Sequence, residues 1–95
     1  MIKAYDGENM LKRRMEVRPR HLENMAKVKG KVICAGGLLD EEGRMKGSAL
    51  VMEFEDRAAL DAYLAAEPYV TEGVWEKIEV EPMNVVLVLG EKAAK

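Results

Sequence analysis

The stretch "KVICAGGLLDEEGRMKGSALVMEFE", Lys31–Glu55, decides how this chain folds. "KVICAGGLL" is an apolar run of strand length, and "DEEGRMKG", Asp40–Gly47, is a polar loop with glycines, suited to a hairpin. "SALVMEFE" returns as a second strand. Side chains alternate along a strand, so Leu50, Met52 and Phe54 face one side and Ala49, Val51 and Glu53 the other. What flanks this hairpin sets the architecture.

Upstream, "MIKAY" reads as a strand over Ile2–Tyr5, and "DGEN" turns, with Asp6 or Asn9 available as a helix cap. Leu11, Met15, Leu22 and Met25 then keep one helical face, expected to be the buried stripe. Arg18 falls on that face, and Arg14 and His21 flank it. Pro19 has no N–H and disfavours helical angles at Arg18, so the pattern predicts a break. A short helix over Glu8–Val17 would be followed by a second that starts at Pro19 and stops at Gly30.

Downstream, "DRAALDAYLAAE" predicts a helix capped by Asp56, with Leu60, Tyr63 and Leu64 as its buried stripe. Pro68 ends or restarts it. "YVTEG" makes one turn, "VWEKIEVEP" is a strand, and "NVVLVL" after Pro82 is a further strand. The order β-α-β-β-α-β is the split βαβ pattern of an α+β fold, with both helices on one face of an antiparallel sheet and an extra C-terminal strand. Cys34, Ala35, Ala49, Val51 and the run Val85–Leu89 supply apolar groups for both sheet faces. In so short a chain this predicts pairing with a second copy.

The 95 residues fit one domain, read over 1–90, with residues 91–95 expected to fray. Hydrophobic residues make up 48% and charged residues 34%, and the net charge is −2 with the signs mixed. No basic patch or aromatic–basic stripe points to nucleic acid, and no apolar run approaches a membrane span. Cys34 is the only cysteine, which excludes an intrachain disulfide and a cysteine cluster for zinc and fits a reducing cytoplasm. One Cys and one His argue against a His/Cys metal site. "AGGLLDEEG" lacks the Lys-Ser/Thr ending of a P-loop and the spacing of a dinucleotide fingerprint, so no cofactor is expected.

Chemistry concentrates in "RRMEVRPRHLENM", Arg13–Met25, which holds the single histidine. His21, beside arginines and a carboxylate, suits general acid or base work; the plainer reading is a helix-surface residue. Arg14 and Arg18 could hold an anionic substrate, or could pair with Glu8, Glu16 or Glu23 on an exposed face. Asp6 or Glu67 could orient the imidazole, against the plainer roles of turn residue and solvated helix end. A Ser48–His–acid triad is possible on paper, with nothing local to activate the hydroxyl. Tyr69 and Trp75 line a pocket or only pack.

"RPRHLENM" together with "AEPYVTEGVWEKIEVEPM" resembles the YciI-like (YCII-related) family. The likeness runs from "AYDG" to about Val86. Its marks are Arg-x-x-x-Arg-Pro-x-His-Leu, an Ala-Gly strand end, a Gly-Ser strand start, an Asp-Pro-Tyr turn and a Gly-x-aromatic before the last main strand. The resemblance implies a ferredoxin-like fold paired into a dimeric α/β barrel, and a site around His21 with an acidic partner. It also implies kinship with enzymes that isomerise, or eliminate from, small oxygenated rings. The Asp of Asp-Pro-Tyr is Glu67 here; its longer side chain can still reach His21, and Asp6, matching the family's acid at the end of the first strand, is the safer partner. The resulting expectation is a small cofactor-free lyase- or isomerase-like enzyme. Its His21–carboxylate pair would be catalytic, and Arg14, Arg18, Ser48 and Tyr69 would bind substrate. A non-catalytic ligand-binding or accessory dimer is the alternative, and a structural dimerisation module the third reading.

Overall fold

In the computed structural model, which describes residues 1–88 and 91–92, the hairpin forms from β2 (Lys31–Leu39) and β3 (Met45–Glu53). β3 begins earlier than the hydrophobic pattern implies because one side chain closes the turn. The Asp40 carboxylate accepts the backbone N–H groups of Glu42 and Arg44 at 2.9 and 3.0 Å, and Gly43 takes the left-handed φ of 78°. β1 (Ile2–Asp6) lies between β3 and β4 (Trp75–Val80), so the main sheet has the order β2-β3-β1-β4, antiparallel throughout. With α1 (Leu11–Ala26) and α2 (Arg57–Ala66), this is the α+β, ferredoxin-like arrangement that the element order predicts.

Alternation along the strands builds the core. Ile2 and Ala4 of β1 and Leu50 of β3 point to the helix side, where they meet Val17, Tyr63, Tyr69, Val74 and Trp75. Met52, Phe54, Leu60 and Leu64 pack around them as partly buried residues. Asp56 caps α2 by accepting the Ala59 N–H at 2.9 Å. Pro68 restarts the chain as α3 (Pro68–Thr71), and Glu67 before it is extended at φ −69°, ψ 119°, as the residue preceding a proline prefers.

α1 departs from the sequence reading twice. It is one continuous helix with Pro19 inside it, where a break at Arg18–Pro19 was expected. Pro19 leaves the Met15 carbonyl without its helical donor, but both residues lie on the exposed side, where water can serve that carbonyl. Its buried residues are also Arg14, Val17 and His21, whereas Leu11, Met15 and Leu22 remain 38%, 47% and 41% exposed. Leu11 and Met15 of the expected stripe therefore face away from the core, while Met25 packs against it, partly buried. Partners for a guanidinium and an imidazole wait on the sheet side, so the polar edge goes in. Two smaller corrections follow. Among the described residues no side chain caps α1, whose N-cap is Met10, and α1 ends at Ala26 with Lys27 as its C-cap, ahead of Gly30. Gly30 serves close packing, since a Cβ there would lie 2.5 Å from the Glu53 carbonyl oxygen.

Beyond Val80, residues 81–86 have no regular structure. The expected C-terminal strand is the two-residue β5 (Leu87–Val88), which pairs with β6 (Glu91–Lys92) as a ribbon separate from the main sheet. Leu89 of the apolar run, and most of the tail read over 91–95, lie outside the described residues. No helix among the described residues is long and apolar enough to cross a membrane.

Candidate active site

The buried edge of α1 carries two polar clusters. One is built on Arg14, which is almost completely buried. Its Nη1 donates to both Asp6 oxygens at 3.0 and 3.2 Å, and its Nη2 donates to Ser48 Oγ at 2.8 Å. The guanidinium also lies 4.7 Å over the Tyr69 ring centroid. A register shift between Tyr5 and Asp6 marks the strand end where this carboxylate turns towards α1. Burial pushes the Asp6 carboxyl above its usual range, against the opposing pull of Arg14.

The second cluster is built on Glu67, the extended residue between α2 and α3, which is wholly buried. Its Oε1 lies 2.6 Å from His21 Nδ1 and accepts the Tyr69 N–H at 3.1 Å. Its Oε2 accepts the Tyr63 hydroxyl at 2.8 Å and Asn24 Nδ2 at 3.2 Å. Burial opposes ionisation of Glu67, but the donors from His21, the Tyr69 backbone and Tyr63 outweigh it and hold the carboxyl below its usual range. An ionised carboxylate only accepts hydrogen bonds, so Nδ1 carries the shared proton. The imidazole is stacked on Tyr69 at 4.1 Å and 18°, with Trp75 edge-on at 5.9 Å, which fixes the ring plane.

No hydrogen bond among the described residues uses His21 Nε2, and the ring lines a cavity of about 100 Å³. Arg14, Arg18, His21, Ser48 and Tyr69 form its polar side; Leu22, Met25, Met45 and Leu50 form its apolar side. Among the described residues, Arg18 has no ion pair and the Tyr69 hydroxyl has no partner. Burial raises the Tyr69 pKa, which keeps that hydroxyl a neutral donor.

The candidate residues from the sequence thus gather along the buried edge of α1 from Arg14 to His21, but Asp6, the carboxylate that the resemblance favoured, does not pair with His21. Glu67 takes the imidazole and Asp6 takes Arg14, because the α2–α3 break delivers the longer carboxylate beside Nδ1. The Ser48 hydroxyl is engaged by Arg14, with no bond to His21 among the described residues. Sequence reasoning missed Tyr63 and Asn24 as holders of Glu67. Helical spacing could have found them, since Tyr63 precedes Glu67 by four residues and Asn24 follows His21 by three. Among the described residues, no group of three or more His, Cys, Asp or Glu side chains could hold a metal ion.

The fold resembles that of 5-chloro-2-hydroxyhydroquinone dehydrochlorinase (TftG) from Burkholderia phenoliruptrix AC1100, solved in complex with 2,5-dihydroxybenzoquinone. The TM-score is 0.79 at 24% identity, covering 87% of this chain and 90% of that one. Protein YciI of Escherichia coli O6:H1 is 32% identical over 94 residues, which span 90% of this chain and 96% of that protein. An uncharacterized protein of Haemophilus influenzae is 31% identical over the same coverage. Residues 1–84, which hold both clusters and the cavity, match the model of the YCII-related domain, and the chain belongs to that family.

Proposed function

We propose that this protein is a small enzyme that needs no cofactor and moves a proton on a small oxygenated or anionic compound, as an isomerase or lyase. The observation that carries this reading is the 2.6 Å contact between His21 Nδ1 and the buried Glu67. That contact fixes the tautomer and leaves the Nε2 lone pair for the cavity. His21 would take a proton from a C–H or O–H of the substrate. The charge left on the substrate oxygen would face Arg18 and the Arg14 guanidinium edge. The proton would then return to a different atom in an isomerisation, or the electron pair would expel a leaving group in an elimination. The structural relative that is a dehydrochlorinase of a hydroxylated ring supports the second course.

The same reading makes the chain a cytoplasmic homodimer. The exposed Cys34 and the half-buried Ala49 and Val51, on the sheet face away from the helices, support pairing, as do the exposed Val86 and Leu87. Light scattering at micromolar concentration tests it, and a monomer would refute it.

The test of activity is chloride release from 5-chloro-2-hydroxyhydroquinone, with a thermal-shift titration of 2,5-dihydroxybenzoquinone alongside. His21→Ala should abolish turnover and keep binding. Saturable binding without turnover in the wild type, across a panel of hydroxylated rings and small carbonyl acids, would leave the same cavity as a non-catalytic ligand site.

A further inference from the structure

A second concavity lies behind the dyad. Its volume is about 210 Å³, twice that of the cavity at His21, and it opens between the C-terminal end of α1, the end of β3 and α2. Phe54 and Tyr63 form an aromatic wall, with ring centroids 5.7 Å apart and tilted by 40°. Ala59 and Ala62 leave room opposite them, and Lys27 and Lys29 supply the charge, with no carboxylate in the lining. Lys27 is shared with Glu23 at 2.8 Å, whereas Lys29 has no ion pair among the described residues. A cavity of about 150 Å³ lined by apolar groups is large enough for benzene. This one is larger and carries positive charge.

We infer that the groove binds a monocyclic aromatic carboxylate, its ring against Phe54 and Tyr63 and its carboxylate on Lys29 and Lys27. The ring gains burial and aromatic contact, and the ammonium groups supply charge-assisted hydrogen bonds. Occupancy reaches the dyad through two side chains. Tyr63 and Asn24 line the groove, and both donate to Glu67 Oε2, whose other oxygen meets His21. A ring pressed on Tyr63 therefore alters the hydrogen bonds that hold Glu67. The site does not depend on His21 being catalytic, because its test reads binding and not turnover.

The probe is benzoate, followed by backbone and histidine-ring nitrogen NMR on the full chain, with benzyl alcohol and benzylamine as neutral and cationic controls. Benzoate should shift the amides of Val28, Ala59 and Ala62 with one dissociation constant, and the His21 ring nitrogens should move with that same constant. Benzyl alcohol should bind more weakly and benzylamine least. Lys29→Gln should weaken benzoate by about fivefold, the scale of one exposed charge pair at its upper end. Ala62→Leu, which fills the groove and leaves every charge in place, should abolish the shifts. The inference is overturned by shifts confined to Arg18, Met45 and Ser48, which would place benzoate in the His21 cavity. It is equally overturned by an affinity unchanged in both variants, or by shifts of the same amides on raising protein concentration alone, which would make the groove a contact between copies.

Discussion

Glu67 and Asp6 are two buried carboxylates within reach of the same helix, and the protein treats them oppositely. Asp6 faces a permanent cation, Arg14, yet its carboxyl is raised above its usual range. Glu67 has a titratable ring and neutral donors, yet its carboxyl is lowered. The difference lies in how many hydrogen bonds replace lost water. Glu67 has four polar contacts spread over both oxygens, while Arg14 is the sole donor to Asp6 among the described residues and divides itself between Asp6, Ser48 and the Tyr69 face. One strong partner does not compensate burial as well as several modest ones.

Removing Glu67 should be the most damaging change. Glu67→Ala strands the Tyr63 hydroxyl, the Asn24 amide, the Tyr69 N–H and His21 Nδ1, and urea unfolding should show a loss of about 3–5 kcal/mol. Glu67→Gln keeps the side-chain volume and should lose less. Equal losses for the two would mean that filling space, and not satisfying donors, is what Glu67 does.

Arg14→Met leaves Asp6 buried without its cation and should cost about 3 kcal/mol. Adding Asp6→Leu should recover most of that loss, because an apolar pair of similar volume needs no hydrogen bonds. A double variant that is as unstable as the sum of the singles would show that the two residues are not energetically coupled.

Acid should separate the two carboxylates by sign. Glu67 has a folded pKa below its ordinary value of 4.5, so its contribution is complete above that value and is lost as pH falls through the folded one. Asp6 has a folded pKa above its ordinary value of 3.8. Its ionisation therefore opposes folding above the folded value, and that penalty disappears as pH falls through it. Urea stability between pH 7 and 3 should fall more steeply in Asp6→Asn than in the wild type, and less steeply in Glu67→Gln. Identical slopes would refute the contrast.

The smallest effect belongs to Tyr63→Phe, which removes one of the four contacts to Glu67 and should cost about 1 kcal/mol. Its informative readout is the His21 ring nitrogens, which should shift in Tyr63→Phe and stay unmoved in a core variant of similar cost.

Much of the site was legible in one helical segment. Arg14, Arg18 and His21 share the border of one stripe, and all three line the cavity. What could not be read was which border faced inwards. Hydrophobic periodicity selects Leu11, Met15 and Leu22 for burial because it weighs each side chain against water alone. It contains no information about Ser48, 34 residues from Arg14, or Glu67, 46 residues from His21, whose presence makes polar burial the better solution.

Pro19 and Pro68 mark the same boundary between local and tertiary information. By itself, the sequence determined the order of the main elements, the hairpin loop that begins at Asp40, the Asp56 cap and the restart at Pro68. Each rests on backbone chemistry within a few residues, and local chemistry acts the same way in any fold. Tertiary structure alone decided that Pro19 would be carried inside α1 and that Glu67, not Asp6, would meet His21. Both outcomes depend on what surrounds a backbone or polar group once water has been displaced. Pro19's missing bond falls on the solvent side, and Glu67 adds to its local donors, Tyr63 and the Tyr69 N–H, the His21 and Asn24 side chains of α1, which only the fold brings to it.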